Sequence, residues 1–145
     1  YNRRSPARRG TQGWYKDIQI EPMYEFGYGL SYSEFVYSPI TLSADRVAKD
    51  GKVTATVTVK NTSDVDGMET VQWYICDPVC RITRPVKELK HFEKRLVKAG
   101  ESEVFTFEID PMRDLSFVDN KGEHFLDCGE YYIFVKDNKE VLNVE

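Results

Sequence analysis

Carboxylates are the reactive groups this sequence supplies most freely, with 24 Asp and Glu against 20 Lys and Arg in 145 residues. Two carboxyls about 5 to 9.5 Å apart across a cleft, one with a raised pKa, could cleave a glycosidic bond. Asp64, Asp66, Asp77, Glu101, Asp119 and Glu123, however, fall among turn formers or at the polar positions of alternating stretches, where solvation accounts for them. The sequence has no Gly-x-Ser-x-Gly elbow, no His-Glu-x-x-His and no phosphate-binding glycine loop. A Cys76–Cys80 bridge would close a short loop and leave Cys128 over. Zinc held by these thiols with His91 or His124 would need a loose Cys-x3-Cys spacing and widely separated histidines. Reduced thiols, some of them small apolar residues in strands, are the simpler reading. Asn61-Thr62-Ser63 matches the glycosylation tripeptide, but it sits in a turn that itself favours Asn. No residue is therefore assigned a catalytic, cofactor-binding or metal-binding role.

The elements that position these groups read as strands. Val53–Lys60 alternates apolar and polar residues without a break, the mark of a strand with one dry and one wet face. The turn formers Asn61 to Gly67 follow, then an apolar strand ending at Cys76 with Val71, Trp73 and Ile75 on one side. Further strands are expected at Phe35–Leu42, with Pro39 marking an edge or bulge, at Glu88–Val97, and at Glu103–Ile109 with Phe105, Phe107 and Ile109 sharing a face. Leu89, Phe92 and Leu96 are expected to point inward. A hairpin is expected from Leu115–Asp119 to His124–Leu126, turning at Asn120-Lys121-Gly122. Gly129–Lys136 reads as the last long strand, with Tyr131, Ile133 and Val135 inward, and Glu140–Val144 as a short edge strand. No helical period is sustained. Regular strand spacing predicts an all-β, immunoglobulin-like two-sheet sandwich, with Trp73 able to fill its central Trp place.

Three segments carry a family resemblance: Lys60-Asn61-Thr62-Ser63-Asp64-Val65-Asp66-Gly67, Val71 to Pro78, and Arg84-Pro85-Val86-Lys87-Glu88-Leu89-Lys90-His91-Phe92. Together they resemble the C-terminal fibronectin type III-like domain of family 3 glycoside hydrolases. Phe26-Gly27-Tyr28-Gly29-Leu30-Ser31-Tyr32 is similar to the family's lead into that domain, and Cys128-Gly129-Glu130-Tyr131-Tyr132 to its Pro-Gly-Glu-Tyr. The departures are Trp73 for an aliphatic residue and Cys128 for Pro. The resemblance implies a parent enzyme that is β-glucosidase-like, retaining and exo-acting, without metal or organic cofactor. It also implies that the nucleophilic Asp and acid/base Glu lie in other domains, so this chain inherits no catalytic residue and serves as a scaffold.

Residues 1–23 carry Arg3, Arg4, Arg8 and Arg9 beside Pro6 and Gly10 and read as a linker arm from a preceding α/β sandwich domain. Residues 24–145 form the sandwich domain. Tyr24, Phe26, Tyr28, Leu30 and Tyr32, spaced by Gly27 and Gly29, are expected to form an interdomain contact rather than a sugar-stacking platform. The expected partners are the catalytic domains of the parent chain, with a homodimer of the parent left open. The loop from Asp77 to Pro85 could approach the parent's active-site mouth or a dimer partner. A net charge of −4 gives no case for nucleic acid, and no apolar run is long enough to span a membrane. Opening on Tyr1 rather than Met reads as an excised fragment, with a parent expected to be periplasmic or secreted. A carbohydrate-binding module and a cell-surface spacer of the same fold are the rival readings.

Overall fold

The computed structural model describes residues 24, 27–79, 87–118 and 121–145. The arm 1–23, Phe26, Cys80, the loop 80–86 with its Arg84-Pro85-Val86, and the turn residues Asp119 and Asn120 lie outside them. Strand order, in sequence, is β1 Phe35–Tyr37, β2 Thr41–Leu42, β3 Arg46–Val47, β4 Val53–Asn61, β5 Gly67–Cys76 and β6 Glu88–Val97. Then come β7 Ser102–Ile109, one helical turn at Pro111–Leu115, β8 Phe117–Val118, β9 His124–Phe125, β10 Gly129–Val135 and β11 Asn138–Val144.

Two sheets face each other. In sheet A, β4 is central: β7 runs antiparallel along its whole length, from Val53 opposite Ile109 to Lys60 opposite Ser102, and β1 and β2 share its other edge. Sheet B has the order β3-β11-β10-β5-β6. Strict period-two patterning sends Val53, Ala55, Val57 and Val59 of β4 inward with Phe105, Phe107 and Ile109 of β7, all buried. From sheet B, Val71, Trp73, Ile75, Tyr131, Ile133, Val135 and Leu142 complete the core. Trp73 is fully buried at its centre, in the place the sequence offered it.

Tyr131 adds a feature of this architecture. Its ring is buried and its hydroxyl donates to the Asp127 carbonyl at 2.9 Å, the back-bond of a tyrosine corner at the start of a core strand. The two arginines Arg95 and Arg113 close the free edge of β7 by donating to the Val104 and Glu108 carbonyls at 3.0 and 2.7 Å, which denies that edge to a foreign strand.

Four expectations are corrected. The strand foreseen over Phe35–Leu42 breaks at Ser38-Pro39-Ile40 into β1 and β2, because Pro39 has no N–H to donate to β4. β11 is longer than foreseen and is not an edge. It lies between β10 and the short β3, which pairs with it in parallel through Asn143–Arg46 and Val144–Val47. β3 itself was not foreseen. Leu89, Phe92 and Leu96 point outward, at 36%, 62% and 49% exposure.

Candidate functional site

Register turns β6 outward, since Phe92 lies opposite Gln72 and Leu96 opposite Met68 on the outer side of β5, and a bulge then turns Leu89 outward as well. Trp73 pairs with His91 and Tyr74 with Leu89, so Lys90 is an extra residue in the ladder. A bulge of this kind re-aims the side chains on either side of it. The outer positions are then Leu89, Phe92, Lys94 and Leu96, while His91, Glu93, Arg95 and Val97 lean inward. His91 stacks on Phe107, with centroids 5.0 Å and planes 11° apart, and Arg95 lies 4.9 Å over the Phe105 ring. Polar side chains thus close the flank of the sandwich between the edges of the two sheets, and the apolar ones are left outside.

The outer face of sheet B exposes Met68, Leu89, Phe92 and Leu96, interrupted by Thr70, Gln72 and Lys94. Paired residues on neighbouring strands point the same way, so Leu96 stands beside Met68, Phe92 beside Gln72 and Leu89 beside Tyr74. Tyr132 and Phe134 of β10 continue the face, each with a lysine over its ring: Lys139 at 3.4 Å and Lys87 at 4.3 Å. The outer face of sheet A is more polar, presenting Thr54, Lys60, Ser102, Thr106 and Glu108 with Val36 and Val104 exposed among them. Antiparallel sheets with one solvated face normally show that second pattern.

The glycine-aromatic lead-in lies on the same outer face of sheet B. Gly27 has φ +87°, and a Cβ there would run into Gln72 Oε1 and the Tyr74 hydroxyl, two groups already joined by a 2.9 Å hydrogen bond. Only glycine allows this approach. Tyr24 and Tyr28 then pair at 4.7 Å with planes 31° apart, both more than half exposed. Leu30 and Tyr32 are almost fully exposed. Four of the five residues expected at an interdomain contact are described, and Tyr24 and Tyr28 flank the glycine that touches the sheet.

One cavity does gather carboxyl groups. Asp77, Glu88 and Asp114 line it with Lys90 and Tyr131, and Lys90 reaches Glu88 at 2.6 Å. Its volume is about 10 Å³, room for one water and far below the several hundred Å³ of a small-molecule site.

The comparisons with known proteins agree with this architecture. Residues 69–139 match the model of the fibronectin type III-like domain. A periplasmic beta-glucosidase of Salmonella typhimurium is 38% identical over 93% of this chain, and a putative beta-xylosidase of Formosa agariphila is 46% identical over 83% of it. The chain belongs to the fibronectin type III-like domains carried by family 3 glycoside hydrolases. It spans 17% and 16% of the length of those two relatives. A solved beta-glucosidase from Listeria innocua, in complex with glucose, superposes with a TM-score of 0.82 at 35% identity, covering 99% of this chain and 22% of its own.

Within this fibronectin type III-like domain the remaining sequence candidates take structural places. Asn61 is fully buried, its Nδ2 donating to the Val65 and Val97 carbonyls at 2.8 and 3.0 Å and its Oδ1 accepting from the Ser63 N–H at 2.9 Å. A glycosyl transferase cannot reach it in the folded domain. Cys76 is half-buried at the end of β5 and Cys128 exposed before β10, and His124 lies exposed in β9. Among the described residues no group of three His, Cys, Asp or Glu is placed to hold a metal.

Sequence reasoning missed a polar linkage between the sheets. The Tyr37 hydroxyl donates to Glu69 at 2.6 Å, and Lys136 approaches the same carboxylate at 3.1 Å while lying 4.2 Å over the Tyr37 ring. Burial, with the Glu69 hydrogen bond and charge, holds the Tyr37 phenol far above the usual tyrosine range.

Proposed function

We propose that this domain is a non-catalytic accessory module of a glycosidase that removes terminal β-linked sugars, and that its work is to steady the catalytic domains. The apolar outer face of sheet B carries this reading. A domain working alone in water has no reason to turn Phe92, Leu96 and Met68 outward while closing its own flank with His91 and Arg95. The lead-in residues Tyr24, Phe26, Tyr28, Leu30 and Tyr32 are assigned to the interdomain contact on the same ground. The relatives support the scaffold role, since one is described as a beta-glucosidase and the other as a beta-xylosidase. A domain shared by enzymes named for different sugars is a poor seat for sugar specificity. Catalysis gains no support from the cavity lined by Asp77, Glu88 and Asp114, because a sugar ring does not fit there.

A carbohydrate-binding module is the second reading, favoured by the exposed Tyr24–Tyr28 pair. Trp73 speaks against it, being buried in the core, and the two tyrosine rings are tilted rather than coplanar.

The test is hydrolysis of a nitrophenyl β-glucoside and β-xyloside by this chain alone. The proposal expects none above the buffer rate. Turnover that disappears on mutating Asp77 and Glu88 would overturn it.

A further inference from the structure

We infer that Lys136 is a latch on the entry strand β1. Its ammonium, carried on a turn backbone suited to glycine, fastens β1 to sheet B through Glu69 and the Tyr37 ring, and β1 opens on its own when that ammonium is lost. The latch holds the strand that follows the lead-in, a task separate from the accessory role.

β1 has little backbone of its own to hold it. It pairs with β4 through Phe35, Val36 and Tyr37, the Ser38 N–H donates to the Thr58 carbonyl at 2.9 Å, and Pro39 then ends the ladder. The β10–β11 hairpin adds side-chain anchors. Lys136 approaches Glu69 at 3.1 Å and lies 4.2 Å over the Tyr37 ring, whose hydroxyl donates to the same carboxylate oxygen. Asn138 donates from Nδ2 to the Ser38 carbonyl at 3.0 Å. Both anchors come from one turn, since Val135 pairs with Asn138 across Lys136 and Asp137.

That turn is built against local preference. Lys136 has φ +50° and is the one non-glycine with positive φ among the described residues. The first position of a two-residue hairpin turn favours Gly, Asn or Asp there. Glu69 accounts for the lysine. Its side chain is 12% exposed and points inward from β5 with Val71, where a carboxylate needs a counterion. Arg95 stands opposite Glu69 on β6 but pairs with Glu93 at 2.6 Å. Lys136 therefore supplies the charge that Glu69 needs, and the Tyr37 ring between them ties β1 to the pair. A disfavoured backbone kept for one side chain's charge marks that charge as the working part.

Hydrogen exchange of the intact protein, read by mass spectrometry over residues 35–38, tests the latch. Lys136→Met keeps the length of the side chain and removes its charge. It should speed exchange of this segment about ten-fold while β4 and β7 keep their protection. Lys136→Arg, which keeps the charge, should restore most of the protection. Lys136→Gly separates the latch from turn strain: it relaxes the backbone, yet should loosen residues 35–38 as Lys136→Met does. Unchanged exchange of this segment in Lys136→Met and Lys136→Gly would overturn the inference. So would exchange that rises equally in β1, β4 and β7, since the loss would then be general rather than confined to the strand that Lys136 fastens.

Discussion

His91 lies flat on the ring of Phe107, 5.0 Å between centroids and 11° between planes, while its neighbour Phe92 faces out at 62% exposure. The usual order of importance is therefore reversed between these two residues. In this chain, His91→Ala should cost about 1 kcal/mol, in the range of a lost aromatic pair. Phe92→Ala should stay within about 0.5 kcal/mol, as surface changes do. Urea denaturation of the two variants checks the order, and a larger loss for Phe92→Ala would contradict the assignment of faces.

This reversal also shows where the sequence was legible. β4 announced itself because its period of two is unbroken and only one of its faces is apolar. β7 was readable by nearly the same alternation, Val104 apart, whereas β10 has Tyr132 and Phe134 on its outer face and was placed by Tyr131, Ile133 and Val135. β6 carries apolar residues at Leu89, Phe92 and Leu96 and charged ones between, so its pattern identified a strand but not which side met the core. The bulge at Lys90 and the closing of the flank by His91 and Arg95 are tertiary events, and one strand's sequence does not encode them. β3 is two residues long and pairs with residues almost a hundred positions away, too short for any pattern. β11 read as an edge strand, although β3 covers it. Of the candidate site, the glycine-aromatic lead-in was visible in advance. The face it lies on was not, because Leu89, Phe92 and Leu96 looked like core.

Asn61 is satisfied on both ends of its amide inside the fold, by Val65, Val97 and Ser63. Asn61→Ala leaves buried carbonyls and an N–H without their partner, a loss of about 1–3 kcal/mol. Thermal denaturation should show it. Expression in a glycosylating host should give a domain whose mass carries no sugar at Asn61 when it folds before modification.

Tyr37 gives the fold an alkaline limit. Its phenol is held neutral by burial and by Glu69, so its folded pKa lies above the unfolded one. The stabilisation is complete below the unfolded value near about 10 and is lost as pH rises past it, because the unfolded chain then releases a proton that the folded chain keeps. Denaturation midpoints should fall between neutral pH and strong alkali, and Tyr37→Phe should flatten that fall. An unchanged slope in the variant would contradict the Tyr37–Glu69 linkage.

The tyrosine corner makes a smaller prediction. Tyr131→Phe keeps the buried ring and removes only the bond to the Asp127 carbonyl, which should cost about 1 kcal/mol. Equilibrium denaturation of this variant should show a lower midpoint with an unchanged slope.

Gly27 holds the lead-in against the sheet. Gly27→Ala places a methyl where Gln72 Oε1 and the Tyr74 hydroxyl already are, at a backbone angle that L-residues seldom adopt. In the intact protein this should lift the lead-in from sheet B and lower the thermal midpoint, with an increase in proteolysis near Tyr24. A variant as stable and as resistant as the wild type would contradict the close approach of Gly27 to the sheet.

The most direct measurement compares the intact protein with a form lacking residues 24–145, assayed for glycosidase activity and thermal stability. An accessory domain docked through the outer face of sheet B predicts that the truncated form melts at a lower temperature and loses most of its activity. Full activity and an unchanged melting temperature would contradict the account, and would mean that this domain does its work apart from the catalytic domains.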